Sequence, residues 1–449
     1  MPRMRVVIIG LGDVGQKIAR TLSAERHEVT IVDRDAARAE SMQGELDAFV
    51  VSGNGASPKV LRELGVGDAD LLCAVTQSDE VNVITALAAR QMGAKRTVAR
   101  VRDDDYFEAG QSLSRDVLGI DLVIHPERAT ADDLAEAILL PGAVHVEHFA
   151  EGRISVAETI LTSRSPLLGR GLGERRMVRP HSVVGIIREG RTLAAEPGHR
   201  PKAGDHLVVC AAHEDIRAVV SYTAGQAAKV NDVVIFGGGR VGLPLALRLE
   251  RASNLRVVVM ERDAERARYV AERVSGATVL HEEGVAKEAL HAHGVDRAGA
   301  FVACAGDDRA NLLAALHAKQ IGAELCLAVV SREEFVPLVD ALHIDASVSP
   351  RLVTAEAILS SVRGEHVQAM HLMSGGAEVL EVSVEAGCRG EELPIDKAEG
   401  MSRSQVGAIV RNGHVVIPEA DERLRGGDRV VVFSPRTGLA DVRRTFQSQ

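Results

Sequence analysis

The chain has 449 residues, of which 46% are hydrophobic and 26% charged, and its formal net charge is −10. This length predicts several domains, and the negative charge argues against nucleic-acid binding and against a polybasic membrane anchor. Because the sequence has neither an apolar run long enough to span a bilayer nor the apolar core of a signal peptide, we expect a soluble, cytosolic protein.

The first hundred residues alternate short β-branched runs with amphipathic helical stretches, which predicts a parallel sheet with crossover helices. Strands are predicted at residues 6–9, 29–32, 48–51, 71–75 and 97–101, and a long apolar helix at about 81–92.

A glycine fingerprint follows the first predicted strand, in the run Gly10, Leu11, Gly12, Asp13, Val14 and Gly15. In such a unit the first glycine permits a tight turn, the second lets the backbone approach a pyrophosphate, and the third lets the helix pack on the strand. Asp33 ends the second predicted strand, where a carboxylate can accept hydrogen bonds from both ribose hydroxyls. That position favours NAD(H) or another adenosine nucleotide over NADP(H).

Further polar residues follow later strands, at the edge of the sheet where ligands of this architecture bind. Asn54 follows the third predicted strand, Thr76 and Gln77 follow the fourth, and Arg100 lies in the fifth. Loop side chains there can hydrogen-bond a nucleotide, and Arg100 can supply a cation for its phosphates.

The same order recurs in the second half, so the chain contains an internal repeat. The second fingerprint consists of Gly237, Gly238, Gly239, Arg240, Val241 and Gly242, and Glu261 takes the place of Asp33. Pro244 lies near the start of the following helix, where its missing N–H is tolerable, and it is expected to tilt the first turn. The second copy also departs from the first, with Glu282 or Glu283 near the place of Asn54, and with Ala305, Gly306 and Val329 for Thr76, Gln77 and Arg100. These changes predict weaker binding of a polyphosphate.

Each nucleotide-type unit is followed by a smaller module of short strands joined by turns. The runs 183–187 and 203–209 have counterparts at 406–410 and 426–433, and Asn412-Gly413 is a hairpin signal. The predicted domains are therefore 1–140, 141–225, 229–366 and 367–449.

The run from Asp68 to Asn82, which contains the sequence AVTQSDEVN, resembles the RCK domains that regulate potassium channels and transporters, as does Val98-Ala99-Arg100. The doubled order over essentially the whole chain is similar to the TrkA family, the peripheral NAD-binding subunits of bacterial Trk potassium-uptake systems. The resemblance implies an α/β fold, with two tandem Rossmann-like parallel-sheet RCK N-domains, each followed by a small α+β RCK C-domain.

The resemblance also implies ligands and partners. Family members bind NAD(H), ATP or ADP and form rings, so four such chains would supply a ring of eight RCK N-domains. The implied partner is an integral-membrane potassium translocator of the Trk type, with this chain on the cytoplasmic face. The family's nucleotide contacts carry over to Gly10 through Val14, Asp33, Asn54, Thr76, Gln77, Arg100, Gly237 through Val241 and Glu261.

The sequence offers no activated serine or cysteine and no separate substrate domain with a proton-transfer pair, which predicts a regulatory subunit and not an enzyme. Two alternatives stay open: an NAD-dependent oxidoreductase with a duplicated cofactor domain, and a stand-alone nucleotide-responsive assembly module. The five scattered cysteines are predicted to be buried, reduced thiols. The histidines match no ligand pattern, so no dedicated metal site is expected.

Overall fold

The computed structural model describes residues 3–103, 106, 119–174, 179–188, 191–225, 230–252, 255–282, 285–362, 367–372, 377–395, 404–435 and 438–446. Two compact units are formed. The first comprises Met1–Asp132, Val234–Asp296 and Phe301–Val362, and the second Asp133–Val233, Arg297–Ala300 and Arg363–Gln449. The first unit carries two parallel sheets and the second two antiparallel sheets. The predicted domain boundaries near 226–229 and at 366 fall on residues outside the described ranges, so that division stays a prediction.

The first parallel sheet contains β1 (Arg5–Ile9), β2 (Glu28–Asp33), β3 (Phe49–Ser52), β4 (Leu71–Ala74), β5 (Thr97–Arg100) and β6 (Leu122–Ile124). Their order is β3-β2-β1-β4-β5-β6, so the direction of winding reverses between β1 and β4. β4 is buried along its whole length, as expected for a parallel strand covered on both faces. The five predicted strands are confirmed to within one residue at each end, whereas β6 is an additional strand.

Helices cover this sheet at α1 (Asp13–Ala24), α2 (Ala36–Met42), α3 (Pro58–Glu63) and α4 (Asp79–Met92), and α5 (Pro126–Leu139) follows β6. α1 buries Val14, Ile18 and Leu22, which share one face because they are four residues apart. The predicted helix at 81–92 is confirmed as α4, which starts two residues earlier. Among the described residues, no helix is both long and apolar enough to cross a membrane.

The first antiparallel sheet contains β7 (Ala143–Phe149), β8 (Ile154–Ile160), β9 (His181–Arg188), β10 (Arg191–Ala194) and β11 (His206–Ala212), and α6 (Ile216–Ala224) follows it. Its order is β10-β9-β11-β8-β7. The predicted strands at 183–187 and 203–209 correspond to β9 and β11. The predicted turn residues Glu189 and Gly190 lie outside the described residues.

The second parallel sheet contains β12 (Asp232–Phe236), β13 (Arg256–Glu261), β14 (Thr278–His281), β15 (Ala300–Ala303), β16 (Leu325–Val329) and β17 (Ala346–Val348). Its order, β14-β13-β12-β15-β16-β17, repeats that of the first sheet. The helices are α7 (Gly242–Glu250), α8 (Ala264–Ala271), α9 (Lys287–Ala292), α10 (Asp308–Ile321), α11 (Val336–Ala341) and α12 (Pro350–Val362). The predicted internal repeat is therefore confirmed at the level of topology.

The second antiparallel sheet contains β18 (Val367–Leu372), β19 (Ala377–Ser383), β20 (Gln405–Arg411), β21 (His414–Val416) and β22 (Arg429–Pro435), followed by α13 (Leu439–Phe446). Its order is β18-β19-β22-β20-β21. Asn412 and Gly413 join β20 to β21 with φ of +51° and +81°. Two successive positive φ angles define the tight hairpin turn that this dipeptide predicts.

Within the first unit, each of the two nucleotide-type domains contacts the other through helices. Ala355, Ile358 and Leu359 of α12 join the core formed by α1 and the first parallel sheet. In the other direction, the Arg248 side chain on α7 lies 3.5 Å from the Asp132 carboxylate on α5. The helix that ends each parallel-sheet domain therefore contacts the first helix of the other domain.

Candidate functional site

The first glycine loop joins β1 to α1 in the crevice where the strand order reverses. Gly10 has a φ of +113°, and a Cβ there would lie 3.0 Å from the backbone nitrogen of Thr76. A Cβ on Gly15 would overlap the carbonyl oxygen of Gly10, so this glycine allows α1 to approach β1. No described atom lies within 4 Å of the position that a Cβ on Gly12 would occupy. Gly12 therefore leaves open space directly before the N-terminus of α1.

The start of α1 is suited to an anion. No described side chain caps its first turn, where Gly12 is the N-cap residue. The first N–H groups of a helix lack intrahelical partners and carry the positive end of the helix dipole. A phosphate group in the space beside Gly12 would accept hydrogen bonds from these N–H groups.

Asp33 lies at the end of β2 and holds the glycine loop in place. Its Oδ2 accepts a hydrogen bond from the backbone N–H of Leu11 at 2.7 Å, and its Oδ1 accepts one from Asp35 at 2.9 Å. The Arg38 guanidinium lies 3.4 Å from Oδ2. A carboxylate oxygen can accept two hydrogen bonds, so among the described contacts Oδ1 keeps one position for a ribose hydroxyl. Asp33 thus has a structural role that the sequence alone did not predict.

A second set of side-chain hydrogen bonds, made by Asn82, joins the ends of β4 and β5. The Asn82 side chain is fully buried and accepts a hydrogen bond from the Thr76 N–H at 2.8 Å. Its amide group donates to the carbonyl of Thr76 at 3.0 Å and to that of Arg100 at 2.8 Å. Asn82 therefore fixes the positions of two predicted ligand-binding residues.

Neither Asn82 nor Asp79 caps the helix in which it lies. The N-cap of α4 is Ser78, whose hydroxyl accepts from the N–H of Val81. Asp79 instead accepts from the N–H groups of Arg102 and Asp103, both at 2.8 Å, and so holds the chain that leaves β5. These contacts explain why the AVTQSDEVN run contains an aspartate and an asparagine three residues apart.

Arg100 is the cation of the first site. One of its terminal nitrogens, Nη2, donates to the carbonyl of Thr76 at 2.7 Å, whereas the buried Nε has no hydrogen-bond partner among the described residues. Burial lowers the pKa of this guanidinium, and the neighbouring charge of Arg102 lowers it further. A buried donor without a partner costs about 1–3 kcal/mol. An anion beside the Arg100 guanidinium would stabilise its charge.

Asn54 and Gln77, the other predicted contacts of the first site, lie at its surface. Both side chains are exposed. Oδ1 of Asn54 accepts a hydrogen bond from the N–H of Ala56 at 3.1 Å, which shapes the loop after β3. Their contact with a nucleotide stays a prediction.

The second site keeps both sets of side-chain hydrogen bonds, those of the carboxylate after the second strand and those of the buried asparagine. Glu261 accepts from the N–H of Gly238 at 2.8 Å and from that of Asp263 at 2.9 Å, as Asp33 does in the first site. Asn311 likewise bridges Ala305 and Val329 with hydrogen bonds of 2.8–3.0 Å. The structure therefore supports the sequence alignment of Ala305 with Thr76 and of Val329 with Arg100.

The second site differs in the groups that would face a phosphate. Val329 supplies no cation at the place of Arg100, and Glu282 lies 3.3 Å from His293. α7 begins only at Gly242, two residues later than α1 in equivalent numbering, because Pro244 has no N–H to donate to the carbonyl of Arg240.

Arg266 closes one side of the second glycine loop. Its guanidinium donates to the carbonyls of Gly238 at 2.7 Å and of Gly239 at 3.2 Å, and it also contacts the ring of Tyr269. In the first repeat the equivalent Arg38 pairs with Asp33. The two loops are therefore held by different contacts despite their shared glycines.

The five cysteines are all buried and unpaired, as predicted. Burial raises the pKa of the Cys210, Cys304 and Cys326 thiols to about 12 and also raises that of Cys73. Among the described residues, no group of three or more His, Cys, Asp or Glu side chains could hold a metal ion.

Thiol labelling at pH 8 checks this burial. We expect none of these four thiols to react with a chromogenic disulfide reagent in the native protein, because the reactive thiolate is scarce well below a pKa of 12 and the sulfur atoms are inaccessible. All five cysteines should react within minutes in denaturant. Rapid labelling of two or more thiols in the native state would contradict the packing described above.

A family model, the TrkA-N domain, matches residues 6–126 and again residues 233–350. Similar proteins include the Trk system potassium uptake protein TrkA of Azorhizobium caulinodans, 33% identical over 452 residues that cover 99% of both chains. The TrkA homolog 1 of Methanosarcina mazei is 32% identical, covering 99% of this chain and 100% of that protein. TrkA of Halomonas elongata is 32% identical over 99% of both chains. The matched segments contain both glycine loops.

Solved structures share the fold over nearly the whole chain. The GsuK channel bound to NAD superposes with a TM-score of 0.65 at 19% identity, covering 99% of this chain and 79% of that one. The crystal structure of the GsuK RCK domain gives a TM-score of 0.63 at 20% identity, covering 99% and 95% of the two chains. These similarities extend to the tandem order of the domains.

Proposed function

The chain belongs to the TrkA family of Trk system potassium uptake proteins, and from this premise we propose that it is a cytosolic regulatory subunit that binds a nucleotide in its first repeat and thereby controls potassium uptake. The observation that carries the proposal is the pairing of the open space at Gly12 with the Arg100 guanidinium, whose buried Nε has no hydrogen-bond partner among the described residues. Both features lie at one edge of one sheet, and both suit a phosphate group.

Each residue of the first site has a proposed role in binding the nucleotide. Gly12 and the N-terminus of α1 would bind the phosphates, Arg100 would neutralise part of their charge, and Asp33 would accept a ribose hydroxyl. An adenosine nucleotide such as NAD(H), ATP or ADP satisfies these requirements. Asn54, Thr76 and Gln77 would line the remaining edge.

The second repeat would bind a nucleotide more weakly. Gly237 through Val241 and Glu261 keep the loop and the carboxylate, but Val329 removes the cation and Arg266 occupies the loop carbonyls. A charge-assisted hydrogen bond to phosphate is among the stronger single contacts in a site. The two repeats are therefore proposed to respond unequally to one ligand.

Control of transport requires a ligand that distinguishes two arrangements of the assembly. We propose that four chains form a ring of eight nucleotide-type domains beneath an integral-membrane potassium translocator, and that ligand binding shifts the ring between two states. A tenfold change in the balance requires the ligand to discriminate between these states by about 1.4 kcal/mol. One charge-assisted hydrogen bond remade at Arg100 is of this size.

Titration of the full chain with NADH and ATP by calorimetry tests the ligand assignment. We expect binding that Arg100→Gln weakens about tenfold or more, because the variant removes a charged phosphate contact. If neither nucleotide binds the native chain, nucleotide regulation must be abandoned. Turnover of NADH with a small carbonyl compound would instead favour an oxidoreductase.

The partner assignment needs a separate measurement. The full chain should co-purify with an integral-membrane potassium translocator, and deleting it should change potassium uptake by cells. Arg100→Gln should keep the complex but reduce the response of uptake to nucleotide. Nucleotide binding without any membrane partner would favour a stand-alone assembly module.

A further inference from the structure

The two repeats contact each other through surfaces that are equivalent in sequence. In the second unit, both antiparallel sheets contribute to one apolar core that includes Val184, Cys210, Ala408 and Phe433. Contacts between equivalent surfaces could in principle also join two first repeats or two second repeats. Differences between equivalent residues at these contacts decide which pairing is favoured.

The equivalent residues of the antiparallel sheets follow from their hydrogen bonds and register. Arg188 forms a two-bond ion pair with Asp205, and Arg411 forms the same pair with Asp428. Both sheets have a register irregularity at the same place, beside the pairs Val208–Gly185 and Val431–Ala408. Gly185 is thus equivalent to Ala408, and Cys210 to Phe433.

Size differs in a complementary way across this core. Phe433 is 1% exposed, and a Cβ on Gly185 would overlap its ring. The residue equivalent to Phe433 in the first repeat is Cys210, which is much smaller and lies in the same core as Ala408, the residue equivalent to Gly185. The large Phe433 side chain of the second repeat therefore packs where Gly185 of the first repeat has no side chain.

Charge differs in the same complementary way in the first unit. The Arg351 guanidinium at the start of α12 forms an ion pair with the Asp13 carboxylate at the start of α1. The position equivalent to Asp13 in the second fingerprint is Arg240. The position equivalent to Arg351 is Glu127, since α5 and α12 both begin with proline and both bond a threonine hydroxyl to that proline's carbonyl. The residues at both positions thus reverse their charge between the repeats.

We propose that two contacts, between Asp13 and Arg351 and between Gly185 and Phe433, make the pairing of repeats selective. A first repeat then pairs with a second repeat of this sequence and not with another first repeat. Two first repeats would put Glu127, which is paired with Arg102, in the place of Arg351 opposite Asp13, and would leave Cys210 beside Gly185, with a void where the Phe433 ring belongs. Two second repeats would place Arg351 against Arg240 and press Phe433 onto Ala408. Each like pairing therefore loses the ion pair between Asp13 and Arg351 and gains a packing defect, whereas the unlike pairing within one chain keeps that ion pair and the packing of Phe433 on Gly185.

Exchanging each residue for its equivalent from the other repeat tests the charge pair in the full chain without nucleotide. Asp13→Arg alone and Arg351→Glu alone should each lower the Tm by about 3 °C and increase the hydrodynamic radius, because like charges then meet. The double variant should recover the native Tm and radius. Arg248→Ala removes the similarly exposed ion pair with Asp132 without bringing like charges together, so as a control it should change both values little.

The size pair is tested in the same way. Gly185→Ala should lower the Tm by about 5 °C, because the added Cβ overlaps the Phe433 ring. Adding Phe433→Cys, the residue of the other repeat, should recover part of this loss, although Phe433→Cys alone is also destabilising. The proposal is overturned if either single charge variant behaves as the native chain, or if neither double variant is more stable than its less stable single variant.

Discussion

Replacing Gly12 by valine is expected to weaken nucleotide binding at the first site by about 100-fold or more while leaving the fold intact. Gly12 has a φ of −79°, which any residue adopts, and no described atom would meet its Cβ. The added side chain would instead fill the space in which a phosphate approaches the backbone, and a misplaced contact of this kind costs about 3 kcal/mol. Calorimetric titration with NADH and ATP measures the loss, and thermal unfolding checks the fold.

Gly239→Val is the matched control for this experiment. Gly239 is the equivalent residue of the second loop, and again no described atom lies within 4 Å of its Cβ position. Because the second repeat lacks the cation that Arg100 supplies, the control should leave the main binding event unchanged. Equal losses from the two variants would show that both repeats bind the same nucleotide with similar strength. Loss from Gly239→Val alone would assign the ligand to the second repeat.

The strands and helices could be predicted because their signals are local. Apolar runs such as 71–75 are short, flanked by polar turns and spaced by amphipathic helices, so periodicity alone locates them. The roles of Gly10, Gly12 and Gly15 are also set by a few neighbouring residues. The three-residue edge strands β6 and β17 escaped prediction, as did the longer strands β7, β8, β18 and β19 of the antiparallel sheets.

Features that depend on distant parts of the chain could not be predicted in this way. Nothing near Asn82 in the sequence reveals that its amide reaches the carbonyl of Arg100, 18 residues later. The packing of α12 on α1 joins segments more than 300 residues apart, so no local pattern reports it. Arg266 is similar in sequence context to Arg38, yet it bonds to the carbonyls of Gly238 and Gly239, whereas Arg38 pairs with Asp33.

Replacing Asn82 by leucine is expected to lower the free energy of unfolding of the first parallel-sheet domain by about 3–5 kcal/mol. The variant removes hydrogen bonds to the N–H of Thr76 and to the carbonyls of Thr76 and Arg100. Each buried group left without a partner costs about 1–3 kcal/mol, although the Thr76 carbonyl keeps its bond from Arg100. Differential scanning calorimetry should show an earlier first transition, and nucleotide binding should fall because Thr76 and Arg100 are no longer held in place.

Asn311→Leu separates stability from ligand binding. Asn311 is also fully buried and makes three of the four hydrogen bonds of Asn82, lacking only the one that the Thr76 hydroxyl donates, so we expect a similar loss of stability. It anchors Val329 and not an arginine, and nucleotide affinity measured below the first transition should therefore stay within about twofold of the native value. If both asparagine variants lowered nucleotide affinity equally, the affinity would depend on the stability of the whole first unit and not on the position of Arg100. If Asn82→Leu kept native affinity, the hydrogen bonds of Asn82 between β4 and β5 would not position Arg100 for a phosphate.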